Sequence, residues 1–164
     1  MSVRSINPSE ILEKLPLLNA VCNETLRLFP PVPITMRTAV RDSYLASHPI
    51  PRGTEVIVCL WAINRNPELW GSDAAEFKPE RWIDDEKPNN SGGAVSNYCQ
   101  MTFLHGPRSC IGQNFAKAEL RCLLAAFVAS FEWEMDMRPE DVLVAGAVTI
   151  KPQNGLKVKL TKLT

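Results

Sequence analysis

Phe103-Leu104-His105-Gly106-Pro107-Arg108-Ser109-Cys110-Ile111-Gly112 sets one cysteine between two glycines, with an arginine two residues before it and a long apolar segment after it. A loop of this kind holds a thiolate at the mouth of a helix, where amide N–H groups and the helix dipole favour negative charge. Such a thiolate suits a soft or redox metal, and iron in a haem is the leading candidate. Gly106 and Gly112 allow close backbone approach or positive φ, and Arg108 offers a pairing cation to an anionic group on a cofactor. A lone cysteine ordinarily packs as a small hydrophobe. The flanking pattern weighs against that: Phe-x-x-Gly-x-Arg-x-Cys-x-Gly arises by chance in a chain this long roughly a few times in 100,000, from average residue usage.

Outward from this loop, the spacing of Phe115, Ala116, Leu120, Leu123, Leu124, Phe127, Val128 and Phe131 predicts a long amphipathic helix starting at Gly112. Upstream, Pro16 to Phe29 reads as a second helix, with Leu17, Leu18, Val21, Cys22, Thr25 and Leu28 at helical spacing. The prolines Pro30, Pro31 and Pro33 stop it. Ile34–Val40 and Glu55–Leu60 read as strands of a small antiparallel sheet, and Trp61–Asn66 as a short helix before Pro67. The region from Glu68 to Thr102 is irregular, with an exposed polar loop over Asp84–Ser96. Near the end, Leu156–Leu160 alternates as a half-buried strand, with Val142–Ile150 as its expected partner.

The 164 residues suit one core-bearing domain, and the 18 basic against 18 acidic residues point to no nucleic-acid partner. Five cysteines without paired spacing argue for a reducing compartment rather than a disulfide framework. No run is apolar for long enough to cross a bilayer, and Met1–Asn7 lacks the apolar core of a signal peptide. The chain as given therefore reads as soluble. His105 and Cys110 lack zinc-like spacing, so His105 is expected as a loop residue rather than a ligand. Cys22, Cys59, Cys99 and Cys122 are expected to pack, and His48 to lie at the surface.

Two further motifs precede the cysteine loop. Glu24-Thr25-Leu26-Arg27 places a carboxylate and a guanidinium on one helix face, and alone would be an ordinary surface pair. Phe77-Lys78-Pro79-Glu80-Arg81-Trp82 places an arginine in a proline-rich loop. In this order the three motifs resemble the cytochrome P450 family of haem-thiolate monooxygenases, of the microsomal, eukaryotic type, from about Leu15 to the C-terminus. The resemblance implies a mainly α fold with small β-sheets (α+β), present only as its C-terminal part. It implies one truncated domain over residues 1–164. Glu24, Arg27 and Arg81 then match a buried structural triad rather than a surface pair, with Trp82 in place of the usual aromatic.

By the same resemblance Cys110 is the axial thiolate ligand to the iron of the cofactor haem and the catalytic centre. Arg37 and Arg108 pair its propionates, and Phe103 belongs to the cofactor-binding loop. The implied activity is oxidoreductase chemistry on O2: one oxygen atom enters a small apolar organic substrate and the other leaves as water. Electrons come from a nicotinamide-dependent flavoprotein reductase, for which Lys117 and Arg121 are candidate contacts. The segments Val32–Thr35 and Gly146–Val148 resemble late substrate contacts. Full-length relatives are attached to the endoplasmic reticulum membrane. The family's oxygen-activating distal helix, most of its substrate pocket and its membrane anchor have no counterpart in these residues. The chain alone is therefore expected to hold haem poorly and to be inactive. The alternative is a non-catalytic, truncated or vestigial relative.

Overall fold

The computed structural model describes residues 8–83, 91–146 and 148–163. Helix α1 (Pro8–Glu13) leads through a tight turn into α2 (Pro16–Leu28), whose proline at the first helical position costs no hydrogen bond. Strands β1 (Ile34–Thr38) and β4 (Glu55–Cys59) pair antiparallel, Met36 opposite Ile57 and Arg37 opposite Val56. Between them β2 (Ser43–Leu45) and β3 (His48–Ile50) form a separate hairpin, in which His48 is exposed. Short helices α3 (Leu60–Ile63) and α4 (Pro67–Trp70) follow. Turns of 3-10 helix then carry the chain to α5 (Gln113–Ser130), which packs on α1 and α2.

The C-terminal strands differ from the sequence expectation. β8 (Val158–Lys162) pairs antiparallel with β5 (Phe131–Met135), not with Val142–Ile150. Phe131 does not extend α5 but begins the alternating stretch Phe131-Glu132-Trp133-Glu134-Met135, which sets Trp133 opposite Leu160. Alternation of period two, with aromatic and long apolar side chains to pair across the strands, wins over one more helical turn. The segment expected as partner forms its own short pair, β6 (Val144–Ala145) with β7 (Lys151–Pro152). Helix α1 had no counterpart in the sequence reading.

Burial in α2 also departs from the apolar periodicity. Its buried residues are Ala20, Cys22, Glu24, Leu26, Arg27 and Leu28, whereas Leu17 is exposed. The helix turns a charged pair inward because partners wait there, and the apolar core is correspondingly small. Trp70, Ala74 and Cys99 form it, with Leu69, Trp82 and Ala94 packed around them. Among the largest fully buried side chains are Trp70, Leu60, Arg27, Glu24 and Asn64. Cys22 and Cys99 pack as expected, but Cys122 is exposed and Cys59 half-buried.

No residue of α5 is buried, and Phe115, Leu123 and Val128 are exposed along it. Met36 and Ile57 are exposed together on the outer sheet face. The accessible surface of 12290 Å² exceeds the ~8,100 Å² of a compact monomer of this mass. Among the described residues nothing packs on the exposed apolar side chains of α5 and of the β1–β4 sheet.

One close approach is testable. Gly92 has a φ of +68°, and a Cβ there would press into the Trp82 ring at 2.9 Å. Gly92→Ala is expected to destabilise the fold by about 1–3 kcal/mol, read as a lower thermal midpoint. At Gly53 a Cβ would meet nothing within 4 Å, so Gly53→Ala carries backbone strain alone and should cost less.

Candidate functional site

Glu24 is the convergence point of the buried interior. Its Oε1 accepts from Arg27 Nη2 at 2.8 Å, the Lys78 backbone N–H at 2.9 Å and Arg81 Nε at 3.0 Å. Its Oε2 accepts from Arg27 Nε at 2.8 Å and Trp82 Nε1 at 2.9 Å. Burial pushes the carboxyl up, but the hydrogen bonds from Arg27, Lys78 and Trp82 and the Arg27 charge outweigh it and hold Glu24 below the ordinary carboxylate range.

Arg27 is equally committed. Nη1 donates to the carbonyls of Asn64 at 2.7 Å and Ala74 at 2.6 Å, and Nη2 to that of Glu76 at 3.0 Å. With the two bonds to Glu24, its full donor set is used. Its guanidinium also lies 5.0 Å from the Trp70 ring centroid. Arg81 adds a bond to the Asp73 carbonyl and an ion pair to Asp73, whose carboxyl is held low by the Lys78 ammonium and by Arg81. The structure thus brings Glu24, Arg27 and Arg81 into one buried cluster, to which the sequence reading had not added Trp82 or Asn64.

A second cation sits beside this cluster without a carboxylate among the described residues. Arg65 stacks 3.4 Å from the Trp61 ring centroid and 5.5 Å from that of Phe29. Burial, then the nearby Arg27 charge, lowers its pKa to about 10.

The cysteine loop crosses the edge of this interior. Gly106 has a φ of +74°, which glycine adopts without cost, while Leu104 takes +59°. Gly112 has an ordinary φ of −88°, so of the two loop glycines only Gly106 takes positive φ. The Cys110 N–H donates to the Phe103 carbonyl at 2.8 Å, closing the loop on itself three residues before α5. The Cys110 side chain is exposed on the wall of a concavity of about 240 Å³. Pro31, Val32, Thr35, Leu60, Phe103 and Arg108 are among its lining residues.

Arg37 is not in that lining. It shares a sheet face with Thr35, which is, and its Nη1 donates to Thr35 Oγ1 at 3.0 Å. Neither Arg37 nor Arg108 has an ion pair among the described residues. His105 faces a separate recess, its ring 5.0 Å from Tyr98, away from Cys110. Val148 is exposed, and the Ile150 N–H donates to the Pro31 carbonyl at 2.8 Å, which brings the chain after Gly146 to the concavity's edge. The loop expectation for 84–90 lies outside the described residues.

The two cations on α5 part ways. Arg121 is not a free surface charge: it donates to Asn19 Oδ1 at 3.2 Å and to Glu13 Oε1 at 3.0 Å, tying α5 to α1 and α2. Lys117 has its ammonium 5.7 Å from the Phe103 ring centroid. Burial, with repulsion from Arg121, lowers its pKa below the usual lysine value.

The chemistry of this lining fits a haem. It offers one exposed thiol, an apolar wall to exclude water, and cations at or beside the rim for carboxylates. The cytochrome P450 family model matches residues 3–160. The chain belongs to the cytochrome P450 family. It is 53% identical over 155 residues to cytochrome P450 monooxygenase ptmK of Penicillium ochrochloron, covering 93% of this chain and 30% of that protein. It is 50% identical over 159 residues to cytochrome P450 monooxygenase sphH of Aspergillus fumigatus, covering 94% and 29%. Among solved structures, retinoic acid-bound cyanobacterial CYP120A1 superposes with a TM-score of 0.82 at 26% identity, over 99% of this chain and 36% of that one. The chain thus spans about 30% of the length of the curated relatives it matches. Among the described residues no helix is long and apolar enough to cross a membrane.

The depressed Glu24 carboxyl has a pH consequence. Its folded pKa lies below the unfolded value of about 4.3. The stability it contributes is therefore complete above that value and is lost as pH falls through the folded pKa. Thermal melts followed by circular dichroism should show a steep loss of stability below about pH 4. Glu24→Gln should flatten that acid limb and cost about 3–5 kcal/mol at neutral pH, because it leaves Arg27 charged and buried.

Proposed function

We propose that this chain forms the thiolate-ligand side of a haem monooxygenase site, with Cys110 as the residue that would hold the iron. The observation that carries the reading is an exposed thiol on an otherwise apolar wall, with Arg108 in the same lining. Arg108 and Arg37 would neutralise the two propionates, and neither would have to abandon an ion pair described here. Leu60 and Phe103 would cover the cofactor beside the thiolate and keep water from the sulfur. When bound, haem would supply the activation of dioxygen, with one atom going to the substrate and the other leaving as water.

Around that centre the residues have separable tasks. The Glu24–Arg27–Arg81 cluster fixes the floor on which the loop rests and does not touch substrate. Val32 and Thr35, on the concavity wall, suit a small apolar organic substrate. Lys117, on the α5 face beyond the loop, is the contact we assign to a nicotinamide-dependent flavoprotein reductase; Arg121 is already engaged within the fold.

The concavity of about 240 Å³ falls short of the several hundred Å³ of an enclosing ligand site. Among the described residues it forms one wall and no lid. The 164-residue chain by itself is therefore assigned weak haem binding without turnover, which is the non-catalytic reading applied to the chain in isolation.

Titration of the purified chain with hemin, followed by reduction and addition of carbon monoxide, tests the ligand. A thiolate-type Soret band at high hemin concentration is expected, and Cys110→Ser should abolish it. The same band in the serine variant would remove Cys110 from the ligand position. Product from an apolar substrate supplied with reductase would overturn the assignment of no turnover.

A further inference from the structure

Helix α2 ends at Leu28, and the residues that would continue its hydrogen bonding are prolines. Leu26 O would accept from residue 30 and Arg27 O from residue 31, but Pro30 and Pro31 carry no N–H. The next upstream carbonyl, Thr25 O, still has its donor, Phe29 N–H at 2.7 Å. Two carbonyls at a buried helix end are thus orphaned by sequence, and a buried acceptor left unpaired destabilises the fold.

Side chains from elsewhere fill both. Thr102 Oγ1 donates to Leu26 O at 2.8 Å, and Asn64 Nδ2 donates to Arg27 O at 2.9 Å. These two are joined to each other, Asn64 Nδ2 also donating to Thr102 Oγ1 at 3.0 Å. Asn64 Oδ1 accepts the Met101 N–H at 3.0 Å, so the fully buried amide grips the chain just before the cysteine loop. From Thr102 the chain passes to Phe103, whose carbonyl receives the Cys110 N–H.

We propose that Asn64 and Thr102 are positioning residues for the Cys110 loop, anchoring it to the proline-terminated end of α2. The anchor does two jobs at once, capping α2 and setting where the loop begins. It links the Glu24 cluster to the backbone of the Cys110 loop, since Arg27 supplies one of the capped carbonyls. Both residues act through Met101 and Phe103 and not on the cofactor. The connection to haem chemistry rests on the ligand reading above, but the anchor itself does not.

Thr102→Val keeps the side-chain shape and removes the hydroxyl, and Thr102→Ser restores it; Asn64→Ala is the more severe variant. Peptide-resolved amide hydrogen exchange and iodoacetamide alkylation of Cys110 are measured on the full chain. In Thr102→Val, amides over residues 101–110 should exchange about tenfold faster, while those of α5 and the β5–β8 pair stay at wild-type rates. Cys110 alkylation should change in the same variant and return with Thr102→Ser. In the hemin and carbon monoxide titration, Thr102→Val should lose part of the thiolate-type band, and Thr102→Ser should regain it. Uniformly faster exchange across the chain, unchanged exchange over 101–110, or a serine variant that behaves like valine would each overturn the anchor. Cys110→Ser with wild-type exchange but no haem band, beside a loosened Thr102→Val loop, would support anchor and ligand separately.

Discussion

A buried carboxylate shared among several donors is the constraint on which this structure depends. Glu24 is fully shielded from water, and a charge in that position is tolerable only if its lone pairs are filled with good geometry. The fold meets that demand by drawing in α2 itself, the Lys78 amide, Arg81 and Trp82, which come from more than fifty residues away. Arg27 extends the demand to the carbonyls of residues 64, 74 and 76. Loops that would otherwise wander are held because their backbone carbonyls complete the acceptor set of a buried guanidinium. The interior is organised by charge, and the modest apolar cluster around Trp70 packs against it.

The sequence reported some of this well and some of it not at all. Helices α2 and α5 and the β1–β4 pair were legible because prolines, apolar spacing and strand alternation act over short distances. The loop around Cys110 stood out because its neighbours are chemically unusual together. The inward face of α2 was not, since hydrophobic periodicity assumes that apolar residues point inward, and here Glu24 and Arg27 do. Asn64 was invisible for the same reason: within the expected short helix Trp61–Asn66 it carries no local sign of its partners, which lie far along the chain. The pairing of β8 with β5 was missed because Phe131 fits the end of an amphipathic helix and the start of an alternating strand equally well.

Arg121 shows how a charge on an amphipathic helix can be misjudged from sequence. Its position among Lys117 and Glu119 suggests a solvated face, yet α1, an element without a sequence signal, supplies Glu13 to hold it. The same helix leaves Phe115 and Leu123 bare. In α5, therefore, the polar residues do the internal joining and several apolar ones remain uncovered, the reverse of a surface helix in a self-sufficient domain.

The aromatic seat of Arg65 has a bearing on the order in which the fold comes apart. Its guanidinium rests on Trp61 and Phe29 with no carboxylate among its described partners, and a pKa of about 10 keeps it charged throughout the acidic range. Nothing in that contact titrates between neutral pH and pH 3. The Glu24 cluster, by contrast, loses its central charge once pH falls through the lowered pKa of that carboxyl. Acid should dissolve the centre while leaving the aromatic seam between the end of α2 and α3 closed, so disassembly of this interior runs from the inside outward.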